Sequence, residues 1–333
     1  LCSLLSQQSA RTMSGYVYSS SGFGESTQDL VYGGNALIYE NGNEVASSER
    51  FSFESQMVVA QIDYEMLRAE RRNNTTFINA QRPTSLSHTL PQVRFINCHS
   101  TQIRDFVLER YVNPTPFIPA SADMKESCEE IFNIQVSGLA KRLVHTNCNT
   151  VVIGISGGLD STLALLVCVK TFDKLKLPRT GIVGVTMPGF GTTDRTYTNA
   201  MTLMKELGIS IREISIRDAC IQHFKDLDHD INVHDVTYEN GQARERTQIL
   251  MDLSNKLNGM VIGTGDLSEL ALGWATYNGD HMSMYGVNVS IPKTLIKYMV
   301  TYVADYEVEK ECHDVLVDII DTPISPELIP ADD

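Results

Sequence analysis

The chain has 333 residues, with 27 Lys and Arg against 41 Asp and Glu for a formal net charge of −14 at pH 7. That length suits about two domains at roughly 150 residues each, and the charge opposes a general nucleic-acid binder, because it repels phosphate backbones. The longest apolar run, Leu163 to Val169, is far shorter than the ~20 residues of a membrane span, so no membrane partner is expected.

The first 80 residues read as β-rich. Tyr16 to Ser19 forms a short strand ahead of the Gly-rich turn Ser21-Gly22-Phe23-Gly24. Asn35 to Glu40 and Glu44 to Ser48 flank Asn41-Gly42-Asn43, an Asn-Gly hairpin signal. Met57 to Ile62 reads as a further strand, and Asp63 as the cap of a helix from Tyr64 to Arg72. Residues 77–120 lose periodicity and collect prolines, which predicts a linker or an interdomain crossover.

From Ser121 the pattern alternates between helix and strand. Met124, Cys128, Ile131, Phe132, Gln135, Leu139 and Leu143 recur at helical spacing. The apolar strand Thr150 to Ile155 follows, then a helix (Asp160 to Lys170), a strand (Gly181 to Met187) and a helix (Asp194 to Leu207). A strand (Ile211 to Ile216), a helix (Ala219 to Asp226), a helix around Gln242 to Lys256 and the strand Met260 to Gly263 complete the series. Such alternation implies βαβ units and a parallel sheet covered on both faces. Ligands of these sheets bind beyond the carboxyl ends of the strands, so motifs at strand exits carry the most weight.

Seven cysteines are widely spaced with no CxxC pair. Neither a disulfide framework nor a thiolate metal site fits, and a cytoplasmic location is expected. The eight histidines show no ligand spacing, so no zinc site is expected.

The strongest motif is Gly154-Ile155-Ser156-Gly157-Gly158-Leu159-Asp160-Ser161-Thr162, at a strand-to-helix junction. Adjacent glycines let backbone approach a ligand closely, the hydroxyls add donors, and the helix N-terminus supplies free N–H groups. That is an anion cradle. Asp160 within it would repel a bare phosphate, which implies a divalent cation between carboxylate and phosphate. The plainer alternative is a helix N-cap on a tight turn. Gly154-x-Ser156-x-Gly158 also matches the nucleophile elbow of serine hydrolases, although Asp160 suits metal–phosphate chemistry better.

Ser-Gly-Gly-x-Asp-Ser resembles the pyrophosphate loop of the N-type ATP pyrophosphatases, which cleave ATP to AMP and pyrophosphate. Three longer stretches narrow the match: Tyr238 to Thr247, Gly263 to Tyr277 and Val287 to Leu295. All closely resemble glutamine-dependent NAD(+) synthetases. Ser9 to Tyr18 and Gly24 to Leu30 resemble the late part of that family's nitrilase-like glutaminase domain, so the resemblance covers nearly the whole chain. It implies an α/β fold, with a Rossmann-like parallel sheet of the adenine nucleotide alpha hydrolase type preceded by a partial nitrilase-like α-β-β-α domain. The corresponding domains are residues 1–76 (glutaminase remnant), 77–120 (linker) and 121–333 (synthetase).

The resemblance further implies ATP-dependent amidation of deamido-NAD through an adenylate, with release of AMP and pyrophosphate. Ammonia would come from glutamine in the intact enzyme, and Mg²⁺ would accompany ATP. Gly154, Ile155, Ser156, Gly157, Gly158, Leu159, Asp160, Ser161 and Thr264 match ATP-binding positions, and Ser156, Asp160 and Lys293 match catalytic ones. Asp160 and Glu269 match the metal ligands. Asn240, Arg244, Glu269, Trp274, Ala275, Thr276 and Tyr277 match deamido-NAD positions. A homo-oligomer is expected, with no nucleic-acid partner.

Local physics leaves plainer alternatives beside these roles. Glu269 suits any first helical turn through the helix dipole, and Trp274 with Tyr277 suits a core pair. Thr192, Thr193 and Asp194 suit either a helix cap or part of an adenosine pocket. Arg244 and Arg246 lie two apart, so they point from different helix faces.

Leu1 opens the chain without an initiator Met or a signal-peptide pattern, and the family's cysteine nucleophile precedes that point. Cys2 sits in Leu1-Cys2-Ser3-Leu4-Leu5, which matches a helix downstream of the nucleophile. The family also continues beyond Pro323-Ile324-Ser325-Pro326. The chain therefore reads as an internal piece, for which no glutaminase activity and at best weak ammonia-dependent synthesis are expected.

Overall fold

An Asn-Gly hairpin organises the amino-terminal residues in the computed structural model, which describes residues 1–80, 94–97, 107–323 and 328. Two units form, Leu1–Asn113 and Pro114–Asp333. In the first, helix α1 (Cys2–Thr12) precedes β1 (Gly15–Ser19), β2 (Ala36–Glu40) and β3 (Asn43–Ser47). The strands form an antiparallel sheet in the order β1-β2-β3. Asn41 and Gly42 take φ of 46° and 92°, the left-handed pair that a two-residue hairpin loop requires. Leu37 and Tyr39 of β2 bury against Leu5 of α1.

Asp63 caps α2 (Tyr64–Asn73), its carboxylate accepting from Met66 N at 2.9 Å. The predicted strand Met57 to Ile62 is not formed. Met57 and Val59 are 87% and 73% exposed, so no buried face draws this apolar segment onto a sheet; strand propensity needs such a surface. Helix α3 (Thr75–Ala80) occupies the start of the segment read as a linker. Residues 81–93 and 98–106 of that segment, Cys98 among them, lie outside the described residues, as do the terminal prolines 326 and 330.

The second unit opens with α4 (Met124–Thr146), followed by β4 (Val151–Gly154), α5 (Leu159–Leu175), β5 (Ile182–Thr186), α6 (Asp194–Glu206) and β6 (Ser210–Glu213). Next come α7 (Arg217–Asp226), α8 (Val236–Leu257), β7 (Met260–Gly263), α9 (Leu267–Leu272), β8 (Tyr285–Gly286), α10 (Lys293–Tyr306) and α11 (Lys310–Ile320). The five strands are all parallel, in the order β6-β5-β4-β7-β8. The predicted α/β parallel sheet is present.

Alternate residues of β4 serve opposite faces. Val151 and Ile153 join a large core with Phe132, Leu139, Leu163, Phe172, Leu203, Met299 and Leu316 from α4, α5, α6, α10 and α11. Val152 faces a second core with Val183, Val185, Phe224 and Tyr238, built by α7 and α8. Two helical layers thus clamp the sheet, which is why its central strands β4, β5 and β7 are largely apolar, while the edge strand β6 carries Arg212 and Glu213. The chain runs from β4 outward to β5 and β6, then returns to β7 on β4's other side. This reversal opens a crevice between the β4 and β7 exits, where ligands of such sheets bind.

Candidate active site at the exits of two strands

Strands β4 and β7 pair with Ile153 opposite Ile262 and end one residue later, at Gly154 and Gly263. Their following loops therefore leave the sheet side by side. After β4, Gly157 takes φ +90°, and a Cβ there would collide with the Thr196 carbonyl. Only glycine fits this turn. Ser156 Oγ accepts from Gly158 N at 3.2 Å and lies 3.3 Å from Ser161 Oγ, which donates to the Gly158 carbonyl. The N-terminus of α5 has no side-chain cap, so its first-turn N–H groups and dipole face the loop. Ile155 is buried in the core and Leu159 packs on it; either could serve a ligand only through its backbone.

The arrangement does not support the nucleophile elbow. Ser156 bonds Gly158 and Ser161, and no histidine among the described residues hydrogen-bonds it.

Three carboxylates converge on the crevice. One oxygen each from Asp160, Asp266 and Glu269 lie within 4.8 Å of one another. Asp160 comes from the first turn of α5. Asp266 and Glu269 form a capping box on α9: Asp266 Oδ1 accepts from Glu269 N at 2.9 Å, and Glu269 Oε2 accepts from Asp266 N at 3.2 Å. The local role of Glu269 at a helix start and its place in the cluster are therefore compatible, since it holds both at once. The Lys293 ammonium, on the first turn of α10, bonds Asp160 Oδ2 and lies 3.6 Å from Asp266 Oδ2 and 4.0 Å from Glu269 Oε1.

One lysine against three carboxylates leaves the cluster net negative. Burial raises the Asp160 carboxyl above its usual range against the pull of Lys293, and the Asp266 charge adds to it. Burial likewise raises Glu269. Burial lowers the Lys293 ammonium, but its bond to Asp160 and the three negative charges outweigh that, so it stays charged. Asp160 Oδ1 and Asp266 Oδ2 are buried with no hydrogen-bond partner. The Lys293 ammonium stands 3.6 Å from Asp266 Oδ2 but beyond hydrogen-bond distance, and buried carboxylate oxygens left without such a partner are costly unless more positive charge meets them. An all-oxygen set of this kind suits a hard divalent cation such as Mg²⁺.

Asn240 and Arg244 lie on α8. Asn240 Oδ1 accepts from Thr276 Oγ1 at 2.8 Å, and Arg244 Nε donates to the Tyr277 carbonyl at 3.1 Å. These bonds fix the loop after α9 against α8, bringing Asn240, Arg244, Thr276 and Tyr277 together. Trp274 and Tyr277 are 77% and 78% exposed, which overturns the core-pair alternative. Ala275 is exposed beside them. Thr264 contributes a backbone carbonyl, held by Asn288 Nδ2 at 3.1 Å.

At the β5 exit Thr193 is the N-cap of α6 and accepts from Thr196 N. Thr192 Oγ1 accepts from Gly189 N at 3.1 Å, so both threonines shape local backbone.

Residues 131–308 match the NAD synthase family model, more than half of the chain. The chain belongs to the NAD synthase family. Among its curated relatives, the glutamine-dependent NAD(+) synthetase of Mycobacterium leprae is 43% identical over 97% of this chain and 48% of its own length. The Thermotoga maritima protein of the same name is 30% identical over 80% of this chain and 43% of its own. The chain spans about half the length of the curated relatives it matches. The glutamine-dependent NAD⁺ synthetase of Acinetobacter baumannii, solved with ADP, shares the fold at a TM-score of 0.53 and 21% identity, over 95% of this chain and 50% of that one. The NMN synthetase of Francisella tularensis superposes at a TM-score of 0.51 with 26% identity, over 60% and 75%.

Two residues of this candidate site escape the sequence reading. Asp266 was visible in principle, because Asp-x-x-Glu directly after a strand is a capping-box signature. Asn288 carries no local signal. Its partners come from α4, α5 and the loop after β7.

Proposed function

We propose that this chain carries the synthetase part of a glutamine-dependent NAD(+) synthetase. The observation that supports it most is the three-carboxylate cluster, with two buried oxygens that lack a hydrogen-bond partner, beside the glycine loop at the β4 exit. In this reading ATP enters the crevice, with its pyrophosphate against Ser156 to Ser161 and the α5 N-terminus. Thr264 contacts ATP, while Asn240, Arg244, Glu269 and Trp274 to Tyr277 hold deamido-NAD. Asp160 and Glu269, with Asp266 now added, would hold Mg²⁺, which supplies charge neutralisation to the phosphates when bound.

An oxygen of the nicotinate carboxylate attacks the α-phosphorus of ATP, the bond to the pyrophosphate oxygen breaks, and pyrophosphate leaves. Ammonia then attacks the acyl carbon, loses a proton, and AMP leaves with its electron pair on oxygen, giving the amide. The protein residues position and neutralise rather than react. Lys293 offers a charged ammonium to the phosphate oxygens, and the N–H groups of the glycine loop receive the departing pyrophosphate. Trp274 and Tyr277 offer exposed rings for a nicotinate or adenine face.

Residues 1–76 fit the close of a nitrilase-like domain that releases ammonia from glutamine in the longer protein, followed by a linker over 77–120. Homo-oligomeric assembly and a cytoplasmic location belong to the same proposal.

The test is incubation with Mg²⁺, ATP, ammonia and deamido-NAD, following pyrophosphate, AMP and NAD. Pyrophosphate release that requires the dinucleotide and is lost in Asp160→Ala is expected. Release that survives Asp160→Ala overturns the carboxylate assignment. Equal or better use of nicotinate mononucleotide would transfer the chain to the NMN-type reaction.

A further inference from the structure

The three carboxylates sit at the starts of two helices, α5 and α9, and one buried side chain outside the cluster joins the segments that carry them. Asn288 follows β8 and is fully buried. Its Nδ2 donates to the Asp160 carbonyl at 2.9 Å and to the Thr264 carbonyl at 3.1 Å. Its Oδ1 accepts from Gln135 Nε2 at 3.1 Å, and the same Nε2 donates to the Val287 carbonyl at 2.9 Å. Both N–H donors and the acceptor of the Asn288 amide are engaged, so its plane is fixed.

The geometry demands this chemistry. Two carbonyl oxygens face Asn288, so the residue must present two donors from one planar head. Aspartate would bring a buried negative charge against both carbonyls, and leucine would leave them without a partner. Glutamine is one methylene too long for a site with no exposed surface.

We infer that Asn288 is a positioning residue for the metal site: it sets the spacing between Asp160 at the start of α5 and the Asp266–Glu269 pair at the start of α9. The inference rests on the proposed function only through the assignment of those carboxylates to a divalent cation. Gln135 acts one step further out, holding the Asn288 amide in the orientation that faces its donors to the two segments. Groups that orient ligands in this way commonly change metal affinity by about 10–100-fold when removed.

The test is Mn²⁺ binding to the full chain without nucleotide, measured by electron paramagnetic resonance. Asn288→Leu and Gln135→Met are compared with wild type and with Ile319→Val, a core change in α11 that controls for loss of stability. Expected is at least about tenfold weaker Mn²⁺ binding in Asn288→Leu and a smaller loss in Gln135→Met, with the control unchanged. If Asn288→Leu does not fold, Gln135→Met carries the test. A folded variant within twofold of wild type, or an equal loss in the control, overturns the inference while leaving the metal site intact. Wild type that binds no Mn²⁺ overturns the metal assignment itself.

Discussion

Lys293 and Asp160 meet across 133 positions of sequence, each from the first turn of its own helix. The two turns treat them oppositely. A carboxylate at an N-terminus is favoured by the helix dipole, and a lysine there is opposed by it. The α10 start tolerates Lys293 because three carboxylates surround its ammonium. Substituting Lys293→Met leaves those charges uncompensated. Lys293 is 40% exposed, so the expected cost is about 1–2 kcal/mol, less than for a fully buried pair. Thermal melts with chelator should show the loss, and Mg²⁺ should restore more stability to the variant than to wild type. An identical Mg²⁺ response in both proteins would separate Lys293 from the cation site.

Gly157→Ala places a Cβ against the Thr196 carbonyl on a backbone with φ +90°. The expected cost is at least about 2 kcal/mol from strain alone. Gly158 takes φ −86°, which any residue adopts, so Gly158→Ala should unfold much closer to wild type. Urea midpoints of the two variants check the contrast.

Trp274 is the protein's single tryptophan and stands exposed beside Tyr277. Adding deamido-NAD should quench or shift its fluorescence, with saturation. Arg244→Ala, which removes the bond to the Tyr277 carbonyl, should weaken that titration by about tenfold, the equivalent of one charge-assisted hydrogen bond. A flat fluorescence titration with wild type would remove the loop from the substrate site.

Asp318 of α11 accepts from Arg195 and Asn199 of α6, and the Arg195 bond holds its carboxyl below the usual carboxylate range. A depressed folded pKa stabilises fully above the unfolded value of about 3.9, and that stabilisation fades as pH falls through the folded value. Asp318→Asn should therefore lower the urea midpoint at about pH 7, and the gap to wild type should close toward about pH 3. A gap constant across that range would show that charge is not its source.

Cys128, Cys168, Cys220 and Cys312 are buried, and Cys2 is exposed. Burial raises all four buried thiols, with Cys220 and Cys312 pushed up to about 11. Thiolate is the reactive form. A disulfide reagent at about pH 8 should label Cys2 rapidly in the folded protein and those four only after denaturation, as mass mapping of the labelled peptides will show.

The elements legible in the sequence are those whose own residues carry the signal. Continuous apolar stretches announced β4, β5 and β7, Asn41-Gly42 announced the hairpin, and Asp63 announced α2. Met57 to Ile62 misled because apolar, β-prone residues do not make a strand without a face to bury. The start of α8 was set too late, since Asp235 caps it by accepting from Thr237 N and Tyr238 N, well before its apolar stretch begins.

By itself the sequence determined the kind of chemistry: glycines where backbone must approach a ligand, and an aspartate within the loop that implies a cation. Those properties depend on residue type and on neighbours within one turn. Only the tertiary structure brought Asp266 beside Asp160 and Glu269 and showed the three carboxylates as one cluster. Asp160, Asp266 and Glu269 converge because β4 and β7 are parallel neighbours at the chain reversal, and Asn288 joins the segments that carry them from a third strand exit. Nothing local to Asn288 encodes that bond, because the carbonyls it satisfies lie 128 and 24 positions away.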